Sequence, residues 1–175
     1  MGTTQLKKTI YLDMDGVVAD FNAYARKVCK SDTIGDRWPE KEWARLKDNP
    51  RLYMDLAKTP EADELVYFCK KVSLSYDYDL KFLTAVPKNN DMFWAFYDKV
   101  LWVQKYYGDI PVMFGPYSTD KHLHYKAGDI LIDDRTSNIN EWRSVGGVAI
   151  LHKGDIHATI ASIELAIKGE HNGMD

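Results

Sequence analysis

Short apolar runs separated by longer stretches of helical periodicity organise this chain. Residues 7–13 hold the first run. Thr9, Ile10, Tyr11 and Leu12 are all β-favouring or apolar, the pattern of a strand buried on both faces. Comparable runs recur at 80–84, 110–114, 129–133 and 147–151. Between them the apolar spacing switches to intervals of three and four. Phe21, Tyr24, Ala25 and Val28 mark a helix within 18–30, and a stripe of Phe93, Phe96, Val100, Val103 and Tyr107 marks another over 92–107, stopped by Gly108. Thr59-Pro60-Glu61-Ala62-Asp63-Glu64 reads as a helix start with a capping threonine and proline in the first position, leading into a helix to about residue 73. Further helices are expected at 137–144 and 155–168, then a frayed tail over 169–175. Strands alternating with helices predict an α/β fold: a Rossmann-like three-layer sandwich around a mainly parallel five-stranded sheet with right-handed crossovers.

One stretch departs from this rhythm. Residues 32–55 are rich in charge, tryptophan and proline, with Trp38-Pro39, Trp43, Asn49-Pro50 and Tyr53 and no strand signal. The stretch is too long for a plain loop in a compact domain. It reads as short helices broken by turns, so residues 20–60 form a small helical insertion over the cleft, and 1–19 with 61–175 form the core domain.

Composition narrows the partners. At 175 residues the chain suits one domain with a modest insertion. A net charge of −3, without any basic run, argues against a stable nucleic-acid partner or a membrane surface, either of which draws on clustered Lys and Arg. It leaves room for a small anionic substrate met by a metal and a few local donors. The N-terminal residues lack an apolar signal core and the run after them is too short for a bilayer, so the expected setting is soluble and cytoplasmic. Cys29 and Cys69 lie far apart without metal-ligand spacing and read as small buried hydrophobes. Pairing of two copies as a homodimer through the insertion is compatible with the sequence but not required by it.

The chemistry sits where the strands end. The first strand runs into Asp13-Met14-Asp15-Gly16, with the glycine allowing a turn that a side chain would resist; the fourth runs into Asp133-Asp134. Thr84 ends the second strand, and Lys121 lies in the polar loop Ser118-Thr119-Asp120-Lys121 after the third. In open α/β sheets ligands bind beyond the carboxyl ends of the strands. Four acids gathered there repel one another unless a cation sits among them, and an all-oxygen set favours Mg²⁺. A strand-end carboxylate can serve as nucleophile, an acid two residues on as proton donor, and a hydroxyl with an ammonium as partners for phosphoryl oxygens. Singly each has an ordinary reading: a solvated turn for Asp-X-Asp-Gly, a helix cap for Asp133-Asp134, a β-favouring Thr84, a surface Lys121. Their conjunction at successive strand exits points to phosphoryl transfer.

These four segments resemble the four motifs of the haloacid-dehalogenase-like phosphohydrolase superfamily, and the similarity extends over residues 10–151. Asp13-Met14-Asp15-Gly16-Val17-Val18-Ala19-Asp20-Phe21, Trp102-Val103-Gln104-Lys105-Tyr106-Tyr107-Gly108, and Asp120-Lys121 followed by Leu131-Ile132-Asp133-Asp134-Arg135 resemble the 5'(3')-deoxyribonucleotidases in particular. The resemblance implies a Mg²⁺-dependent hydrolysis of deoxyribonucleoside monophosphates through an aspartyl-phosphate, with a small nucleotide as substrate. Asp13 would be the nucleophile and Asp15 the acid and base. Mg²⁺ would be held by Asp13, the backbone carbonyl of Asp15, and Asp133 or Asp134, with the choice within that pair left open. Thr84 and Lys121 would bind phosphate, with Lys88 and Arg135 nearby, and Phe21 would line the base side of the pocket. One departure stands out: where that group commonly has a hydroxyl residue after the motif-two threonine, this chain has Ala85, whose backbone N–H alone can meet the phosphate, followed by the bulkier Val86.

Three alternatives follow from the same residues. The substrate could be another small phosphomonoester, or a nucleic-acid 3'-phosphate end, against which the weak basic character argues. A receiver-like phosphoacceptor domain also gathers acids, a hydroxyl and a lysine around Mg²⁺, but there the paired acids come early, whereas here Asp-X-Asp leads and the pair comes last. Trp38, Trp43 and Tyr53 suit the core of the insertion better than base stacking, with Trp38 the best placed of them for the pocket. His122 and His124 read as surface residues.

Overall fold

The computed structural model describes residues 7–30, 38–88, 92–108 and 110–172. Part of the expected insertion (31–37), the polar loop residues Asn89, Asn90 and Asp91, and the last three residues of the tail lie outside the described residues.

Five strands, β1 (Thr9–Leu12), β2 (Asp79–Thr84), β3 (Val112–Phe114), β4 (Ile130–Asp133) and β5 (Val148–Leu151), form one sheet in the order β3-β2-β1-β4-β5. Every pairing is parallel, as the continuous apolar runs require of strands buried on both faces. The chain first builds outward from β1 through β2 to β3, then crosses back to lay β4 on the other side of β1. That reversal leaves a crevice at the carboxyl ends of β1 and β4, the place where this class of sheet binds ligands.

Side-chain alternation along the strands divides the core. Ile10, Leu12, Phe82, Ile130 and Ile132 face the larger cluster, which is completed by α3 (Ala62–Tyr76), α4 (Ala95–Tyr107) and α6 (Ile156–Asn172). Tyr11, Leu83 and Leu131 point the other way, against Ile139 and Trp142 of α5 (Thr136–Ser144). The result is the three-layer sandwich expected from the sequence.

Between β1 and α3 lie α1 (Phe21–Cys29) and α2 (Glu40–Lys47), followed by a turn over residues 51–55. Asp20 caps α1, its carboxylate accepting from the Ala23 N–H at 3.0 Å. The apolar side chains of this segment, among them Ala25, Leu46, Leu52 and Leu56, are continuous with the larger core cluster. Its entry and exit are pinned together: the Asp20 N–H donates to the Ala57 carbonyl at 2.9 Å and the Thr59 N–H to the Val18 carbonyl at 3.0 Å.

Several local expectations change. Thr59 does not cap α3; Glu61 occupies that position without a side-chain bond, because the Thr59 hydroxyl is committed to the Val17 carbonyl at 2.8 Å. The buried face of α4 is Ala95, Asp98, Lys99, Trp102, Val103 and Tyr107; of the expected stripe Val103 and Tyr107 belong to it and Phe96 packs against the core, while Phe93 precedes the helix and is 80% exposed. Residues 118–121 belong to a 3₁₀ helix, Ser118–His124, rather than a loop, its start reinforced by the Asp120 carboxylate accepting from the Tyr117 N–H at 3.3 Å. Within it His124 is half-buried with Nε2 2.9 Å from the Phe114 carbonyl, and His122 is half-buried too, so neither is a plain surface residue. The final helix continues through Asn172, beyond the expected start of fraying. Cys29 and Cys69 are both buried and free.

Candidate active site

The register of the sheet explains how distant residues converge. Leu12 pairs with Ile132 on one side and with Phe82 on the other, so the next residues, Asp13 and Asp133, leave adjacent strands at the same level. The Asp13 N–H extends the ladder by donating to the Ile132 carbonyl at 2.9 Å. Gly16 then takes φ +82°, a conformation rarely open to other residues, and a Cβ at that position would sit 2.2 Å from Asp134 Oδ2. The turn after β1 and the acid after β4 are fitted to each other, and only glycine permits it.

Lys121 ties the two strand tips together. Its side chain is buried, and Nζ donates to Asp13 Oδ1 and to Asp133 Oδ2, each at 2.7 Å. Burial disfavours its charge, but the carboxylates of Asp13 and Asp133 more than offset this and raise its pKa above the ordinary lysine value. Asp13 Oδ1 also accepts from the Met14 N–H at 2.7 Å, leaving Oδ2 available to a substrate. Both oxygens of Asp133 are occupied: Oδ1 by the Arg135 N–H at 2.9 Å and Asn138 Nδ2 at 3.0 Å, Oδ2 by Lys121 and by Asn138 Nδ2 at 2.9 Å. Asp134 is the contrasting case, with Oδ1 buried and unpartnered.

One carboxylate oxygen from each of Asp13, Asp133 and Asp134 lies within 4.8 Å of the others. Three carboxylates against the single ammonium of Lys121 leave an excess of two negative charges. Burial, followed by the mutual repulsion of these acids, raises the pKa of Asp134; burial raises Asp13 as well, against the pull of Lys121. The oxygen-only donor set, the charge excess and the orphaned Asp134 oxygen all fit a hard divalent cation such as Mg²⁺. Asp134 has a free oxygen to ligate it directly and Asp13 would do so through Oδ1, with Oδ2 left to the substrate, while both oxygens of Asp133 are taken by two donors each.

Asp15 stands apart from this cluster. Its Oδ2 accepts from Lys99 Nζ at 2.6 Å, while Oδ1 is buried without a partner. The same Lys99 Nζ donates to the Thr84 hydroxyl at 3.1 Å. Thr84 is fully buried under the floor of the cleft, and it is Ala85, Val86, Pro87 and Lys88 that line the cleft on that side. The Val86 N–H is taken by the Pro116 carbonyl at 2.9 Å.

The cleft has a volume of about 700 Å³. Asp13, Asp15, Lys121 and Asp134 lie on its lining, as do Arg135 and Lys88. Arg135 also donates from Nη1 to the Ser118 hydroxyl at 3.3 Å, which in turn bonds Asn138 Oδ1 at 2.7 Å. Aromatic side chains line the cleft as well, among them Phe21, Trp38, Trp43 and Tyr53. The Phe21 ring lies 5.6 Å from Trp43 and stacks on Tyr53 at 6.2 Å, and Trp38 Nε1 donates to Asn22 Oδ1 at 3.3 Å. Trp38, Trp43 and Tyr53 thus serve as packing and as cleft wall at once.

Two residues of this arrangement escape a reading by strand tips. Asn138 lies a turn into α5, and nothing in its neighbourhood along the chain marks it. Lys99 does carry a signal: it shares a helix face with Ala95, Trp102 and Val103, so an ammonium falls in the middle of a buried apolar stripe.

No family model and no curated protein matches the chain. Among solved structures it is similar to a hydrolase from Streptococcus pneumoniae TIGR4, at 12% identity over 87% of this chain and 96% of that one, with a TM-score of 0.47. A second similar structure is a haloacid dehalogenase-like family hydrolase from Streptococcus pneumoniae, at 13% identity over 89% of this chain and 90% of that one, also with a TM-score of 0.47.

Proposed function

We propose that this protein is a Mg²⁺-dependent phosphomonoesterase of the haloacid-dehalogenase-like type, a 5'(3')-deoxyribonucleotidase that hydrolyses deoxyribonucleoside monophosphates. The observation that supports it most is the Lys121 bridge, which gathers Asp13 and Asp133 from separate strands while Asp134 keeps a buried free oxygen. A mere solvated turn after β1 would have no use for a buried ammonium and three converging acids.

In this reading Asp13 Oδ2 attacks phosphorus and the bond to the ester oxygen breaks, with Asp15 passing a proton to that oxygen. The alcohol leaves and Asp13 carries the phosphoryl group. Asp15 then takes a proton from water, which attacks the same phosphorus and releases inorganic phosphate and free Asp13. Lys121 meets charge developing on the phosphoryl oxygens, aided by the Ala85 N–H and by Lys88 and Arg135, which also line the cleft. Asp13 and Asp134, with the Asp15 carbonyl, would hold Mg²⁺, which when bound supplies charge neutralisation for the incoming dianion. Residues 20–60 act as a cap, and their aromatic wall accepts a nucleobase face.

Phosphate release across 5'- and 3'-monophosphates, ribo and deoxy, with Mg²⁺ and with chelator, tests this reading. Mg²⁺-dependent turnover of deoxynucleotides supports it. Ala85 favours one second reading, a different small phosphomonoester, and turnover of a sugar phosphate without any nucleotide turnover would establish that instead.

A further inference from the structure

Resting on that reading, we propose that Lys99 is a positioning residue that fixes the carboxylate of Asp15 for proton transfer, and that α4 thereby couples the cap to the acid/base. Lys99 is completely buried and does not line the cleft, so it acts through another group. A buried ammonium is costly unless it is paired, and this one draws its partners from three separate segments. It donates to Asp15 Oδ2 at 2.6 Å in the turn after β1 and to the Thr84 hydroxyl at 3.1 Å at the tip of β2; the face of the Tyr53 ring from the cap turn covers it at 4.3 Å.

The effect on Asp15 is geometric. Oδ2 is locked against Lys99 and Oδ1 is buried without a partner, so the ammonium holds the whole carboxylate in one orientation on the lining of the cleft, where its proton is exchanged with the reacting atoms. Without the ammonium, Asp15 sits on a glycine-containing turn with no partner on its other oxygen to hold a rotamer, and misplacement by an ångström is enough to slow proton transfer severely. The adjacent α4 residue grips the cap as well. Asp98 is buried and pairs with Arg51 at 3.3 Å, and the Met54 backbone favours its charged form. Tyr53, between those two contacts, also stacks on Phe21 of the aromatic wall. Consecutive residues of one helix thus hold the cap turn and the acid/base together.

Single-turnover kinetics of the full chain with Mg²⁺ separate positioning from bulk stability. Lys99→Met keeps the buried stem and removes the ammonium. The two substrates are a deoxyribonucleoside monophosphate, whose leaving alkoxide needs a proton, and p-nitrophenyl phosphate, whose phenolate leaves without one. We expect the nucleotide rate to fall about 10²-fold, with KM and the nitrophenolate burst little changed. Lys99→Gln, which restores a neutral donor, is expected to show a smaller loss with the same dependence on leaving group, and it carries the test alone if the methionine variant does not fold. Equal losses on both substrates, a loss confined to KM, or no loss would overturn the role of Lys99. A wild-type protein inactive on every monophosphate would instead overturn the phosphatase reading beneath it.

Discussion

Asp13 and Asp15 differ by two positions in the chain and by almost everything in their surroundings. Asp13 is buried at the centre of the sheet edge, one oxygen held by Lys121 and the Met14 N–H; Asp15 is partly exposed and paired with Lys99. Asp13→Asn preserves an acceptor for Lys121 but removes the nucleophile, so turnover should fall to background while the far-ultraviolet circular dichroism stays as in wild type. Asp15→Asn should lower turnover by about 10²–10⁴-fold through the lost proton transfer, and a near-wild-type rate would reject its acid/base role. Gly16→Ala is expected to be damaging through two causes, a positive φ and a Cβ driven into the Asp134 carboxylate. Its clearest sign would be a weakened response of the melting temperature to Mg²⁺. The two acids and the glycine were legible because an apolar run ending in charge marks a strand exit. Lys99 and Asn138 were not, because a polar residue inside a helix reads as solvated until the helix has been rotated onto its neighbours.

The elements show the same division between what periodicity carries and what only packing decides. All five strands and their order along the chain follow from the apolar runs, whereas the face that α4 buries does not, since Phe93 and Tyr97 are exposed while Asp98 and Lys99 are enclosed. Aromatic residues at every turn of that helix make two stripes equally plausible from sequence, and the choice is made by the partners waiting at Asp15 and Arg51. Thr59 looked like a cap because its neighbours permit one, but the turn after β1 competes for its hydroxyl and wins. At this scale the contact to test is Arg51–Asp98, between an exposed arginine and a buried carboxylate. Arg51→Met leaves Asp98 without its ion-pair partner and should cost about 1–3 kcal/mol in chemical denaturation. It should also raise KM, because the turn carrying Tyr53 is loosened; an unchanged KM would show that the turn is held by its apolar packing alone.

Across the whole molecule, the reversal of strand order beside β1 brings three carboxylates and one ammonium to a single crevice, and the excess negative charge has a thermodynamic consequence. Asp13 and Asp134 both have folded-state pKa values raised above those of the unfolded chain. The native state therefore binds more protons than the unfolded state above the ordinary carboxylate range, and stability falls as pH rises. Lys121, raised from an already high value, stays charged throughout this window. The metal-free protein should lose melting temperature between about pH 5 and pH 8, and Mg²⁺ should both raise the melting temperature and flatten that slope, since it binds the native state alone. A slope of the opposite sign would contradict the burial of these acids. The central claim, that the crevice is a phosphomonoesterase site with Asp13 as nucleophile, is tested most directly by measuring phosphate release from deoxyribonucleoside monophosphates by wild type and Asp13→Asn with Mg²⁺ present. The expected result is turnover by the wild type and none by the variant; turnover retained in Asp13→Asn, or absent from the wild type on every monophosphate, would contradict it.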